Sequence, residues 1–214
     1  VKRFGAAKRR LAAGIEDERR EALVEAMLED VLEAIGDARS IERTIVVSDE
    51  PRAIAAGAAA GAEVVAEPMP DADSGKADGG GHSLAALAGI VRAEELGAEC
   101  VVLLPGDCPL VDPRELDRLL TGVPASYVAV VPDRHGTGTN ALALAPPSAI
   151  RPAFGEGSCA RHVAAAREAG VPLAVEELPS LALDLDTPAD IVALTRELAA
   201  GHDGAKRTAK ALGL

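Results

Sequence analysis

The sequence predicts an α/β protein, a single doubly wound domain on a mostly parallel, mixed sheet. Three observations point there. Amphipathic helical stretches alternate with short apolar runs from Glu16 to Leu120. The connections between them are short, as in βαβ units. The run from Cys100 to Leu104 is apolar throughout and β-branched at two positions, which suits a strand covered on both faces of a parallel sheet.

Taken in order, Glu16 to Ile35 sets Leu23, Met27, Leu28, Val31, Leu32 and Ile35 on one helical face, and Thr44 to Ser48 follows as a strand. Pro51 to Ala60 reads as a second helix and Glu63 to Glu67 as a second strand. Pro68 to Gly81 is a loop rich in Pro, Asp and Gly, of a length that tends to be functional or disordered. His82 to Leu96 is helical again and leads into the Cys100 run. Asp112 then reads as an N-cap, with Pro113 in the first helical position and Glu115 able to close a capping box. Past Leu120 the pattern changes. "YVAVV" and "NALALA", separated by "PDRHGTGT", suggest a hairpin-like insertion or a mixed sheet edge. Ser158 to Ala169 is helical, and Thr187 to Asp190 is a capping box that opens the last long helix. Residues 1–200 form the domain, and 201–214 a basic tail read as a solvated helix end.

Composition narrows the partners. The 214 residues suffice for a sizeable core, and with aromatics at 1% that core is built from Ala, Val, Leu and Ile. A net charge of −12 and the shortage of aromatic rings argue against nucleic acid or an anionic membrane surface as partner. The expected partners are small molecules, and a homodimer is left open. Three cysteines, without a CxxC pair, make disulfides and a structural zinc improbable and fit a reducing cytoplasm. No apolar stretch approaches the length of a membrane span.

The chemistry gathers at acidic and glycine-rich positions. Asp107, in "LLPGDCPL", lies beyond the carboxyl end of the Cys100 strand, where open α/β sheets bind ligands. A turn aspartate bonding its own backbone is the bland alternative. Gly136 to Ala141 satisfies GxGxxG/A, but "LALAPP" follows instead of the helix a dinucleotide fingerprint requires, and the P-loop pattern is absent. "GTGTN" instead offers hydroxyls and backbone N–H groups to a phosphate or carboxylate. "FGEGS" is a second such loop and runs into a helix N-terminus, with Arg161 placed for a bidentate phosphate contact. In "LALDLDTPAD", Asp184 and Asp186 are read as pointing to opposite sides of an extended segment, so that only one faces the Asp107 site. Asp186 is assigned to helping Thr187 cap the helix, which leaves Asp184 as the preferred metal ligand. Asp107 plus one of this pair is chemically sufficient for Mg²⁺ when substrate phosphates complete its octahedron. Four scattered histidines and a Cys108 without an evident base support no nucleophilic triad; Cys108 is read as packing. The set suits phosphoryl or nucleotidyl transfer, where positioning and charge neutralisation supply most of the catalysis.

Read together, "VKRFGAAKRRL", "PGDCPL", "DRHGTGTNAL", "FGEGSCARH" and "LDLDTPADI" resemble, in that order, the 2-phospho-L-lactate guanylyltransferases and their phosphoenolpyruvate-using relatives, which serve biosynthesis of the deazaflavin coenzyme F(420). "GTGTN" followed by "FG.GS..RH" is the most specific part. The resemblance implies a glycosyltransferase-A-like nucleotidyltransferase fold, and transfer of GMP from GTP to the phosphate of phosphoenolpyruvate or phospholactate with release of pyrophosphate. It implies Asp107 and Asp184 as Mg²⁺ ligands with Asp186 auxiliary. It implies Thr139, Gly155 and Ser158 on the three-carbon substrate, and Lys2, Arg3 and Lys8 on the GTP triphosphate, with Asp107, Lys2 and Lys8 as the catalytic set. Gly81, His82 and Ser83 fall where relatives carry a Gly-Leu-Asn stretch near the nucleotide base. The family opens with an apolar strand feeding the basic loop, of which this sequence carries Val1; a chain without that strand would lack a central member of the sheet. A molybdopterin or sugar-phosphate nucleotidyltransferase would share the carboxylates without needing the two glycine loops, and a non-catalytic nucleotide-binding protein would keep the fold alone.

Overall fold

Helix α1 (Asp17–Asp37) carries the apolar stripe the sequence predicts and divides it between two parts of the core. Leu23, Val24, Met27, Leu28 and Leu32 enter one apolar cluster with Val46, Ala53, Leu183, Leu185 and Leu194, whereas Val31 and Ala34 enter a second with Cys108, Leu116 and Leu119. The computed structural model describes Phe4, Lys8, Leu11, residues 16–68 and residues 80–214. Among them follow β1 (Ile45–Val47), α2 (Pro51–Ala59), β2 (Glu63–Val65), α3 (Gly80–Glu95), β3 (Val101–Leu103) and α4 (Pro113–Leu120). The second half adds β4 (Tyr127–Pro132), β5 (Thr139–Ala145), α5 (Ser158–Glu168), β6 (Leu173–Val175), α6 (Pro188–Ala199) and α7 (Lys206–Leu212). None of the described helices is long and apolar enough to cross a membrane.

The fold is α/β with a mixed sheet, and the mixing is stronger than the sequence suggested. β1 and β2 pair in parallel. The other four strands run in the order β3-β5-β4-β6, with β3–β5 and β4–β5 antiparallel and β4–β6 parallel. β3, expected in a parallel sheet and covered on both faces, is half-buried and antiparallel to its neighbour. An apolar run of this length reports burial, not the direction of the strand beside it. The β4–β5 hairpin, expected as an insertion or an edge, is the centre of its sheet. All seven residues of β5 are buried. Period two explains how both strands can be apolar throughout. Val128, Val130, Leu142 and Leu144 face one cluster with Ala166 and Ile150, while Ala129, Val131, Ala141 and Ala143 face the α1 and α4 side. The register Val128↔Leu144 and Ala129↔Ala143 keeps like faces opposite.

Helix starts follow their local sequence. Glu50 caps α2 by accepting from Arg52 N, and Asp112 caps α4 by accepting from Arg114 N at 2.8 Å. Glu115, however, does not close a capping box. Its carboxylate accepts from Ser180 N (3.0 Å) and Ser180 Oγ (2.6 Å), tying α4 to the 3₁₀ turn Pro179–Leu181. The segment read as a solvated tail is helix α7, docked on α1. Asp30 of α1 caps it, accepting from Arg207 N (3.0 Å) and from Thr208 N (2.8 Å) and Oγ1 (2.7 Å). Thr208 is fully buried in consequence.

Candidate active site

Two anchors hold the described part of the N-terminal basic segment. Phe4 and Leu11 are buried in the first core cluster, with Phe4 N donating to Glu50 Oε2 at 3.1 Å and Leu11 N to Lys8 O at 2.9 Å. Between them Lys8 adopts φ 54°, the left-handed region that a residue other than glycine seldom visits. Its side chain, 9% exposed, places Nζ between the carboxylates of Asp107 and Asp186, donating to Asp107 Oδ2 and Asp186 Oδ1. Burial works against the ammonium, but the two carboxylates outweigh it and raise the Lys8 pKa, so the cation is held charged.

Asp107 lies where the sequence places it, in the turn after β3. Its carbonyl accepts from Leu185 N at 3.1 Å, which fixes the Asp184 to Asp186 segment alongside. In that segment Leu183 and Leu185 are buried in the core and the aspartates alternate with them. Residues two apart in an extended chain share a side. The expectation that Asp184 and Asp186 point to opposite sides is therefore overturned. Asp184 feels both neighbours: burial first, then the charges of Asp107 and Asp186, raise its pKa. The capping assignment of Asp186 also falls. Asp190 Oδ2 does the capping, accepting from Asp186 N (2.9 Å), Thr187 N (2.6 Å) and Thr187 Oγ1 (2.9 Å), and leaves the Asp186 carboxylate to Lys8.

Two carboxylates thus hold one cation, and Asp184 lies close enough to feel the charges of both. Among the described residues no group of three His, Cys, Asp or Glu side chains has the arrangement of a metal site, and Lys8 Nζ lies between Asp107 and Asp186. Asp107 Oδ1 is nonetheless buried with no hydrogen-bond partner among the described residues. A buried carboxylate oxygen without a donor fits an oxygen-loving cation such as Mg²⁺. Cys108 beside it is fully buried, and burial pushes its thiol well above the usual range, so it packs.

The two glycine loops meet at a second cluster. Asp133 organises the first, its Oδ1 accepting from His135 N (3.1 Å) and Thr137 N (2.9 Å). At Gly138 a Cβ would stand 2.6 Å from Asp133 Oδ2 and would push that carboxylate out of its place in the loop. The hydroxyl oxygen of Thr139, the first residue of β5, lies within hydrogen-bond distance of Ser158 Oγ (3.1 Å) and His162 Nδ1 (3.0 Å), all three residues being buried. In the second loop Gly155 has φ 112° and Gly157, the α5 N-cap, φ 72°, conformations that favour glycine. Arg161, expected to grip a phosphate, spends its guanidinium on this loop. Nε and an Nη donate to Ala153 O at 3.2 and 3.0 Å, and the other Nη to Glu156 O at 2.5 Å. Ser83, expected at the nucleotide base, accepts from Phe154 N at 3.0 Å and joins α3 to the same loop. Gly81 lies beside Glu67, whose Oε1 a Cβ would meet at 3.4 Å. Lys2 and Arg3 lie outside the described residues, as does most of the Pro68 to Gly81 loop. The sequence shows His162 only as part of "FGEGSCARH", beside Arg161 in the first turn of the helix; its burial and its contacts to Thr139 and Ala153 appear only in the structure.

Comparison with known proteins places the chain in a family. The phosphoenolpyruvate guanylyltransferase of Conexibacter woesei is 44% identical over 214 residues, covering 97% of this chain and 90% of that protein. The 3-phospho-D-glycerate guanylyltransferase of Phenylobacterium zucineum is 39% identical over 209 residues, covering 96% and 89%. Among solved structures, a protein of Desulfovibrio desulfuricans G20 grouped with the nucleotide-diphospho-sugar transferases superposes with a TM-score of 0.74 at 16% identity, covering 99% of this chain and 90% of that one. A nucleotidyl transferase from Methanothermobacter follows with a TM-score of 0.58 at 21% identity, covering 81% of each. Likeness at these identities shows the nucleotidyltransferase fold alone. The family model described as "Guanylyl transferase CofC like" matches residues 1–207, and the chain belongs to that family.

Proposed function

We propose that the protein transfers GMP from GTP to the phosphate of a three-carbon phosphorylated acid, phosphoenolpyruvate ahead of 2-phospho-L-lactate, in coenzyme F(420) biosynthesis. A phosphate oxygen of the acceptor attacks the α-phosphorus of GTP, the bond from that phosphorus to the β-phosphate bridging oxygen breaks, and pyrophosphate leaves. The observation that carries the reading is the meeting of Lys8, Asp107 and Asp186 at the carboxyl end of β3, in a chain 44% identical to a phosphoenolpyruvate guanylyltransferase.

Asp107, through its unpartnered Oδ1, and Asp186 or Asp184 would hold Mg²⁺. When bound, the ion neutralises charge on the phosphates and polarises the reacting phosphoryl group. Lys8 brings a charged ammonium to the same place, where it can turn from the carboxylates to the triphosphate; the family resemblance assigns Lys2 and Arg3 to the triphosphate as well. Thr139, Ser158 and the Gly155 loop receive the acceptor, and Gly81 and Ser83 stand on the nucleotide side.

The test is pyrophosphate release with GTP and Mg²⁺, offering phosphoenolpyruvate, 2-phospho-L-lactate, 3-phospho-D-glycerate and a hexose phosphate. Turnover with one of the three-carbon acids is expected, falling by at least about 100-fold in Asp107→Asn, a loss of several kcal/mol of charge stabilisation. Transfer to the sugar phosphate alone, or an Asp107→Asn variant as active as wild type, would sink the reading.

A further inference from the structure

The buried trio Thr139, Ser158 and His162 contains a proton count that its geometry decides. His162 Nε2 lies 2.9 Å from Ala153 N, a backbone group that can only donate. Nε2 must therefore be the unprotonated nitrogen, and the neutral ring carries its proton on Nδ1. Nδ1–H faces Thr139 Oγ1 at 3.0 Å and donates to it. Thr139 and Ser158 share one further hydrogen bond, at 3.1 Å. Two hydroxyl protons are present and that bond consumes one. Whichever way it runs, one O–H remains to point out of the trio. Were Nδ1 an acceptor instead, Thr139 would donate to the ring and Ser158 to Thr139, and none would remain.

We propose that His162 is a positioning residue: as the Nδ1–H tautomer it sets the hydrogen-bond direction in the Thr139–Ser158 pair, so that the pair offers one O–H donor to an anionic oxygen of the acceptor acid. A carboxylate or phosphate oxygen carries no proton and needs such a donor. The ring is held for this task from every side. Ala153 N fixes Nε2, Phe154 meets the ring edge-on at 5.1 Å between centroids, and Arg161 clasps the carbonyls of Ala153, Phe154 and Glu156. The same contacts tie the tautomer to the shape of the Gly155 loop.

This inference rests on the proposed function, and two experiments separate their fates. The first is ¹⁵N NMR of the wild-type His162 ring. Nδ1 is expected to be protonated and Nε2 bare, and phosphoenolpyruvate, unlike GTP alone, is expected to move the Nδ1 signal. A protonated Nε2, or a ring indifferent to phosphoenolpyruvate, overturns the proposal whether or not the enzyme turns over. A responsive ring without pyrophosphate release from any acceptor leaves the proposal standing and removes the proposed function. The second is kinetic. His162→Leu is expected to raise the acceptor KM about 10- to 100-fold, as for loss of a hydrogen bond to a charged group, with the GTP KM within about twofold. Because His162 acts through Thr139, Thr139→Val/His162→Leu is expected to match the worse single variant. Equal losses in both KM values, or additive effects, would show a packing role and overturn the proposal; a variant that does not fold leaves the NMR result to decide.

Discussion

At the residue scale two groups pull stability in opposite directions with pH. Burial first, then the charge of Arg161, lowers the His162 pKa from 6.5 to about 4. The unfolded chain binds the proton more readily, so this contribution is fully present above pH 6.5 and is lost as pH falls toward 4. A depression of that size is worth about 3 kcal/mol. Urea unfolding is expected to show that loss between pH 7 and pH 4.5, shrunken in His162→Leu. Asp184 behaves oppositely. Its pKa is raised in the folded state, so folding grows less favourable as pH climbs above the unfolded carboxylate value. Asp184→Asn is expected to raise the thermal midpoint at pH 7 while lowering pyrophosphate release, a trade of stability against function. A lower midpoint would mean that the Asp184 charge is stabilising after all.

At the element scale, irregular segments are placed by regular ones. Asp107, the Asp184 to Asp186 segment and Lys8 all lie outside the described helices and strands, and each is pinned by a buried neighbour: Cys108, Leu185, and the pair Phe4 and Leu11. The rigid scaffold behind them is what makes a loop site geometrically definite. Helix α7 shows the same logic away from the site. It begins without a capping side chain of its own, because Asp30 of α1 supplies one. Asp30→Ala is expected to cost about 1–2 kcal/mol in urea unfolding, as for loss of an N-cap. A solvated tail would give no measurable change.

At the scale of the whole molecule, the most deeply buried strands are β4 and β5, not the early parallel ones. Val128 to Val131 and Ala141 to Leu144 are essentially inaccessible, with α1 and α4 on one face and α5 on the other. Their amides are expected to exchange with deuterium most slowly and through global unfolding, whereas β2, half-buried throughout, exchanges earlier. Uniform exchange along the described strands would place the most protected core elsewhere. Local sequence is enough for the helices up to α6, the strands up to β5, the caps at Asp112 and Thr187, and the positions of Asp107 and both glycine loops, but not for β6. Each of these is written in periods of two or 3.6 residues or in turn chemistry within a few residues. Only the tertiary structure decided strand direction, the docking of α7, the diversion of Glu115 to Ser180 and of Arg161 to its own loop, and the placement of Lys8 between Asp107 and Asp186. Those contacts join residues as far as 99 and 178 positions apart, and which partner each charge or hydroxyl meets depends on how buried faces stack, a matter no local pattern encodes.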